Sequence, residues 1–108
     1  MAQQPCRAVY LSGQLKDLLD GLGPSDKLRD WVDDMVDVLK ENMFAGQRVK
    51  KNVIPDYYKR KYGVNNLYRY RHPEGFRSCY TLVRKDSHVC PVILDVLSHP
   101  EYDRIFGY

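Results

Sequence analysis

The sequence is poor in residues that would build a disulfide or metal scaffold. Its three cysteines, Cys6, Cys79 and Cys90, are odd in number and widely spaced, and no Cys-x-x-Cys occurs. Neither a disulfide framework nor a zinc ribbon is signalled, and buried or inert thiols are expected. His72, Cys79, His88 and Cys90 lack recognisable ligand spacing, so no metal and no cofactor is expected. No apolar run approaches the ~18 residues needed to cross a bilayer, which argues against a membrane partner. The opening Met1-Ala-Gln-Gln-Pro-Cys-Arg7 lacks the basic and then apolar blocks of a secretory signal, so a cytoplasmic protein is expected. Internal repeats, low-complexity tracts and interdomain linkers are also missing. At 108 residues the expectation is one domain, 1–108, with a single modest core.

What is present is unevenly distributed. The net charge is only +3, but residues 1–44 carry five Lys/Arg against eight Asp/Glu, and residues 45–108 carry twelve against six. A basic second part suits a phosphate backbone or an acidic protein, although a solvated surface with some scatter would look the same.

Residues 6–11 (Cys-Arg-Ala-Val-Tyr-Leu) read as a short strand, with Ser12-Gly13 ending it and able to cap a helix. Leu15, Leu18, Leu19 and Leu22 then recur at helical spacing, until Gly21, Gly23 and Pro24 break the run. A second helix is predicted over about Asp26 to Met43, with Ser25 as a plausible N-cap. Leu28, Trp31, Val32, Met35, Leu39 and Met43 line one side, widened by Val36 and Val38, and Asp30, Asp33, Asp34 and Asp37 fill the solvated side. Ala45-Gly46 is expected to end it. Residues 47–64 form a basic, tyrosine-rich connector in which Pro55 opens and Gly63 closes a short helix. Lys50, Lys51, Lys59, Arg60 and Lys61, interleaved with aromatics, suit RNA contact. Alternatively, Val53, Ile54, Tyr57, Tyr58 and Tyr62 simply attach the connector to the sheet.

The stretch from Asn66 to Leu82 holds two alternating runs around Pro73-Glu-Gly75, the pattern of a hairpin. Arg69 and Arg71 point to one face of such a strand and Tyr68 and Tyr70 to the other. One face can dock on a core while the other shows guanidinium groups, to which Arg77 adds from the second strand. A polar turn at residues 83–87 leads into an apolar strand over 89–97, where Pro91 argues for an edge or bulge at its start. Ser98 is placed to cap a last helical turn with Pro100 just inside it. The order predicts an α+β fold: two N-terminal helices on one face of a small, mostly antiparallel, four-stranded twisted sheet.

The segment Asn66-Leu-Tyr-Arg-Tyr-Arg-x-x-x-Gly-Phe-Arg-x-x-Tyr80, followed by the run from Val92 to Phe106, resembles the RelE/ParE superfamily of toxins from toxin–antitoxin pairs. The likeness covers nearly the whole chain, and the RelE-like branch is favoured. It implies a ribosome-dependent mRNA endoribonuclease that inhibits translation and is neutralised by a cognate antitoxin. In that chemistry a 2′-hydroxyl attacks the adjacent phosphate, so a proton acceptor, cations and a donor to the leaving oxygen are needed. The resemblance places a phosphate-stabilising role on Arg77, and an always-charged planar fork suits it. It gives Arg69 and Arg71 the place of the basic strand residues, and His99 that of the acid or base. Tyr102 takes the place of a residue that stacks on or orients the scissile nucleotide, and Phe106 and Tyr108 are further stacking candidates. Where some branches use a lysine pair, this chain has arginines, which do not release a proton; base duty then falls on His99, on His72 or on no residue.

Plainer roles stand beside these. His99 before Pro100 can be a helix-entry residue, His72 a turn residue and His88 merely exposed. Arg77 can anchor a carboxylate such as Asp95, and Tyr102 and Phe106, at i and i+4, can staple the tail to the core. Two other functions stay open: a non-catalytic ParE-like inhibitor of a protein target such as DNA gyrase, and a plain RNA- or protein-binding module.

Overall fold

The computed structural model describes residues 4–107. Over these the chain is α+β, with four α-helices and a five-stranded, mostly antiparallel sheet. The elements are β1 (Tyr10–Leu11), α1 (Gly13–Asp20), α2 (Lys27–Glu41), β2 (Gln47–Arg48), α3 (Asp56–Tyr62), β3 (Tyr68–Arg71), β4 (Arg77–Lys85), β5 (His88–Ile93) and α4 (His99–Phe106). Strand order is β1-β5-β4-β3-β2, with β1 parallel to β5 and the other pairs antiparallel. Among the described residues no helix is long and apolar enough to cross a membrane.

Two expectations about layers are overturned. The sheet has five strands, because Gln47–Arg48 pairs with Arg69 and Tyr68 as an edge strand; two polar residues carry no alternation that would reveal it. Helices also cover both faces rather than one. Leu15 of α1 and Val32, Met35 and Leu39 of α2 pack on Tyr68, Tyr80, Ile93 and Val96. On the opposite face Val49, Ile54 and Tyr58 pack on Leu67, Cys79 and Leu94, with Ile105 and Phe106 of α4 against them. The arginine-bearing face is therefore roofed over its centre, and its hairpin end stays open.

Local chemistry explains the element ends. Ser12 accepts from Leu15 N at 3.1 Å and donates to Leu94 O at 2.7 Å, which caps α1 and ties it to the sheet. Asp26, not Ser25, is the N-cap of α2, accepting from Leu28 N at 2.9 Å; a carboxylate there also complements the helix dipole. That helix ends at Asn42, before Ala45-Gly46, and Val38 lies on its exposed side. Pro55 and Gly63 bound α3 as expected, Gly63 in the left-handed conformation. The first strand shrinks from 6–11 to Tyr10–Leu11. The expected polar turn at 83–87 is mostly strand: β4 runs to Lys85, and Asp86 and Ser87, both at positive φ, make the two-residue turn into β5. Pro91 lies in the sheet interior opposite Leu82. Its missing N–H falls on the β1 side, where pairing begins only at Val92.

One irregularity matters for the site. The β4–β5 register pairs Tyr80 with Ile93, and Leu94 N donates to Cys79 O at 2.9 Å, yet Arg77 pairs with Leu97. One extra residue is thus inserted on the β5 side, a bulge. The Asp95 carboxylate fills the gap, accepting from Cys79 N at 2.9 Å and from Tyr58 Oη at 2.7 Å. The bulge brings Leu97 back onto Arg77, with backbone bonds of 2.9 and 2.6 Å. Ser98 and His99 come immediately after, at the hairpin end. A capping box between Ser98 and Glu101 then launches α4, with Pro100 in its first turn.

Candidate anion-binding cleft

An open cleft of about 720 Å³ lies where β3, β4 and α4 meet, with Ala45, Gly46 and Gln47 as its far wall. Arg69, Arg71, Arg77, His99 and Tyr102 all line it, together with Tyr70 and Asp103. The hairpin register explains the arginines. Arg69 sits opposite Cys79 and Arg71 opposite Arg77, so alternation puts all three on the face that carries α4. Toward the turn that face runs out from under the helix, and Arg71 is exposed there.

Each cation has distinct surroundings. Arg77 Nη1 donates to the carbonyls of Gly75 at 3.1 Å and Phe76 at 3.3 Å, which holds the side chain across the turn. Its guanidinium stands 5.6 Å from the Tyr102 ring centroid. Arg69 Nη1 donates to Tyr102 Oη at 2.8 Å. Among the described residues neither Arg71 nor Arg77 makes an ion pair. Asp95 does not anchor Arg77, since its two oxygens serve Cys79 and Tyr58.

His99, the first residue of α4, has Nε2 3.2 Å from Asp103 Oδ2, one turn on. An Nε2–H directed at that carboxylate leaves Nδ1 as the ring's free lone pair. Tyr102 is almost fully buried, its ring stacked on Phe106 at 4.4 Å. It reaches the cleft by its hydroxyl edge rather than as an open stacking face. Phe106 also packs against Tyr58, and Tyr108 lies outside the described residues.

His72 faces the other way. Its ring is buried against Trp31 of α2, with Nε2 2.7 Å from Ser78 Oγ. Burial first, then the Arg77 charge, push its pKa down to about 4, so it is a neutral structural residue. His88 opens β5 and is partly buried. The remaining basic residues do not join the cleft. Lys50 and Lys51 line a separate hollow with Arg48 and Asn52, and Lys59, Arg60 and Lys61 are exposed on α3. The tyrosines of that helix divide: Tyr58 is buried, while Tyr57 is partly exposed and accepts from Lys61 Nζ at 3.0 Å. Cys79 and Cys90 are buried free thiols, and burial raises the Cys79 pKa well above its ordinary value. Among the described residues no group of His, Cys, Asp or Glu is arranged to hold a metal ion.

Two contributors escape a reading of the sequence. Asp103 is legible in principle, as a carboxylate at i+4 from His99 on a capped helix. Gly46 is not, because its closeness to Tyr80 is purely tertiary. The arrangement gives a phosphate-sized anion two opposed guanidinium groups, with an imidazole and a phenol at its side. Comparison with family models, curated proteins and solved structures finds no match to this chain.

Proposed function

We propose that the chain is a toxin-like mRNA endoribonuclease of the RelE kind, acting on a phosphodiester held in the Arg69/Arg71/Arg77 cleft. The observation that carries this reading is the convergence of three arginines, His99 and Tyr102 on one open cleft. The RelE/ParE resemblance, carried by these same residues, is in keeping with it, as is the order of two leading helices, hairpin, strand and C-terminal helix.

The chemistry follows from the side chains. Arg71 and Arg77 grip the non-bridging oxygens and offset the charge that builds on the phosphorane. His99 accepts the proton of the attacking 2′-hydroxyl at Nδ1, with Asp103 holding the ring by its other nitrogen. Oxygen then bonds phosphorus, the bond to the 5′-oxygen breaks, and a cyclic phosphate and a free 5′-hydroxyl remain. Arg69 donates to the phenol oxygen of Tyr102, which polarises that hydroxyl as the donor to the departing 5′-oxygen. Stacking falls on groups other than the buried Tyr102 ring. In this reading the RNA is presented by the ribosome in the cytoplasm, and a cognate antitoxin covers the basic cleft.

Induced expression of the wild type, Arg77→Ala and His99→Gln, with primer extension on cellular mRNA, tests the proposal. Growth arrest with codon-positioned cleavage, lost in both variants, is expected. Arrest without cleavage would transfer the cleft to inhibition of a protein target, and no arrest would reduce it to a binding module.

A further inference from the structure

The cleft is not the only basic concavity on this flank. Its far wall ends at Gln47, and the next residue, Arg48, begins an open hollow of about 490 Å³ lined by Arg48, Lys50, Lys51 and Asn52. Among the described residues no carboxylate lines this hollow, and its four side chains are exposed.

Edge geometry joins the two. β2 is the last strand of the sheet, and its antiparallel pairing with β3 continues as Val49 N donates to Leu67 O at 2.9 Å. Alternation then turns the backbone N–H of Arg48 to the open edge. Gln47 and Lys50 are separated by about 10 Å of extended chain, a reach of a few nucleotides.

Resting on the proposed reading of the cleft, we infer that RNA flanking the scissile phosphate passes over the β2 edge and seats its backbone in the Arg48/Lys50/Lys51/Asn52 hollow. Among the described residues the hollow has no aromatic lining on which a base would stack. It therefore grips phosphate without reading sequence, and its contribution is electrostatic and salt-dependent. Continuity with a phosphate-binding cleft favours a nucleic acid strand over an acidic protein.

The test uses the full chain and 2′-O-methyl RNA, which cannot be cleaved by its own 2′-oxygen. Binding of a trinucleotide and of a nonanucleotide is followed by fluorescence anisotropy between about 50 and about 200 mM salt. For the nonanucleotide, Lys50→Ala/Lys51→Ala should reduce the slope of log affinity against log salt by about 1.4, the release expected for two single-strand phosphates. Trinucleotide binding should not change. Equal slopes for the double variant and the wild type on the nonanucleotide would overturn the inference, as would equal losses on both lengths. Displacement of the nonanucleotide by a polyglutamate peptide as effectively as by unlabelled RNA would overturn it in favour of an acidic protein. Failure of the cleft reading shows separately, as Arg77→Ala leaving trinucleotide affinity unchanged.

Discussion

Arg71 and Arg77 stand directly opposite each other across the β3–β4 ladder, two full cations on the same face with no carboxylate paired to either among the described residues. Like charges in that position cost up to about 1 kcal/mol, so the hairpin end is poised to gain from an anion. Millimolar phosphate or sulfate should raise the Tm of the wild type. Arg71→Gln should raise anion-free stability by up to about 1 kcal/mol and abolish most of the anion response. Differential scanning calorimetry with and without phosphate reads both, and an unchanged anion response in the variant would remove Arg71 from the seat.

The pairing of His99 with Asp103 at 3.2 Å makes a different prediction. Both groups are partly exposed, so the pair should add little to stability. On cleavage of a model RNA, His99→Gln should lower kcat by about 10² to 10⁴, the range for loss of a general base. Asp103→Asn, which weakens the hold on the ring, should lower it less, by roughly tenfold. Unaltered kcat in both variants would assign the pair to helix capping alone.

The legible parts of this chain are those whose signals are local. The stripe of α2, the Pro55/Gly63 limits of α3, the Pro-Glu-Gly hairpin and the Ser98/Pro100 start of α4 each depend on a few neighbouring residues. Alternation along Tyr68–Arg71 suffices to put Arg69 and Arg71 on one face. What stayed hidden is non-local. β2 is polar and short, the roof of α3 and α4 over the arginine face needs packing to be seen, and the Asp95 bulge exists only as a register between distant strands. The same distances explain why Lys59, Arg60 and Lys61, basic in composition, end on another surface.

The bulge carries a pH signature. Burial raises the Asp95 pKa from 3.8 to about 6, against the lowering effect of its bonds from Tyr58 and Cys79. The folded state therefore holds the proton more tightly than the unfolded chain, and this group's contribution falls by about 3 kcal/mol as pH rises from 4 to 6. His72 works in the opposite sense. Its folded pKa is about 4 against 6.5, so the unfolded chain binds the proton more readily, and stability rises by about 3 kcal/mol across pH 4 to 6.5. The two should nearly cancel, leaving urea midpoints almost flat over that window. Asp95→Asn should expose the rising limb and be the more stable protein at pH 8, while His72→Gln should expose the falling limb. Parallel profiles for the wild type and both variants would contradict the opposed pair.

Gly46 supplies the last prediction. Its N–H donates to Tyr80 Oη at 2.9 Å, and the same hydroxyl donates to Met43 O at 2.9 Å, closing the turn after α2 onto the sheet. A Cβ at this position would lie 2.5 Å from Arg69 O and 2.7 Å from Tyr80 Cε1. Neither can retreat easily, since one is strand backbone and the other a fully buried ring stacked on Tyr68 at 5.1 Å. Gly46→Ala must therefore push β2 away from β3, at a cost of about 1–3 kcal/mol. Gly46 also walls the cleft opposite Arg77 and His99, so displacement of β2 should weaken RNA binding beyond what lost stability explains. Tyr80→Phe provides the control, because it removes the hydroxyl bonds without moving the strand. At a temperature where all variants remain folded, Gly46→Ala should lose more affinity than Tyr80→Phe. Equal affinities would mean that the wall does not touch the ligand.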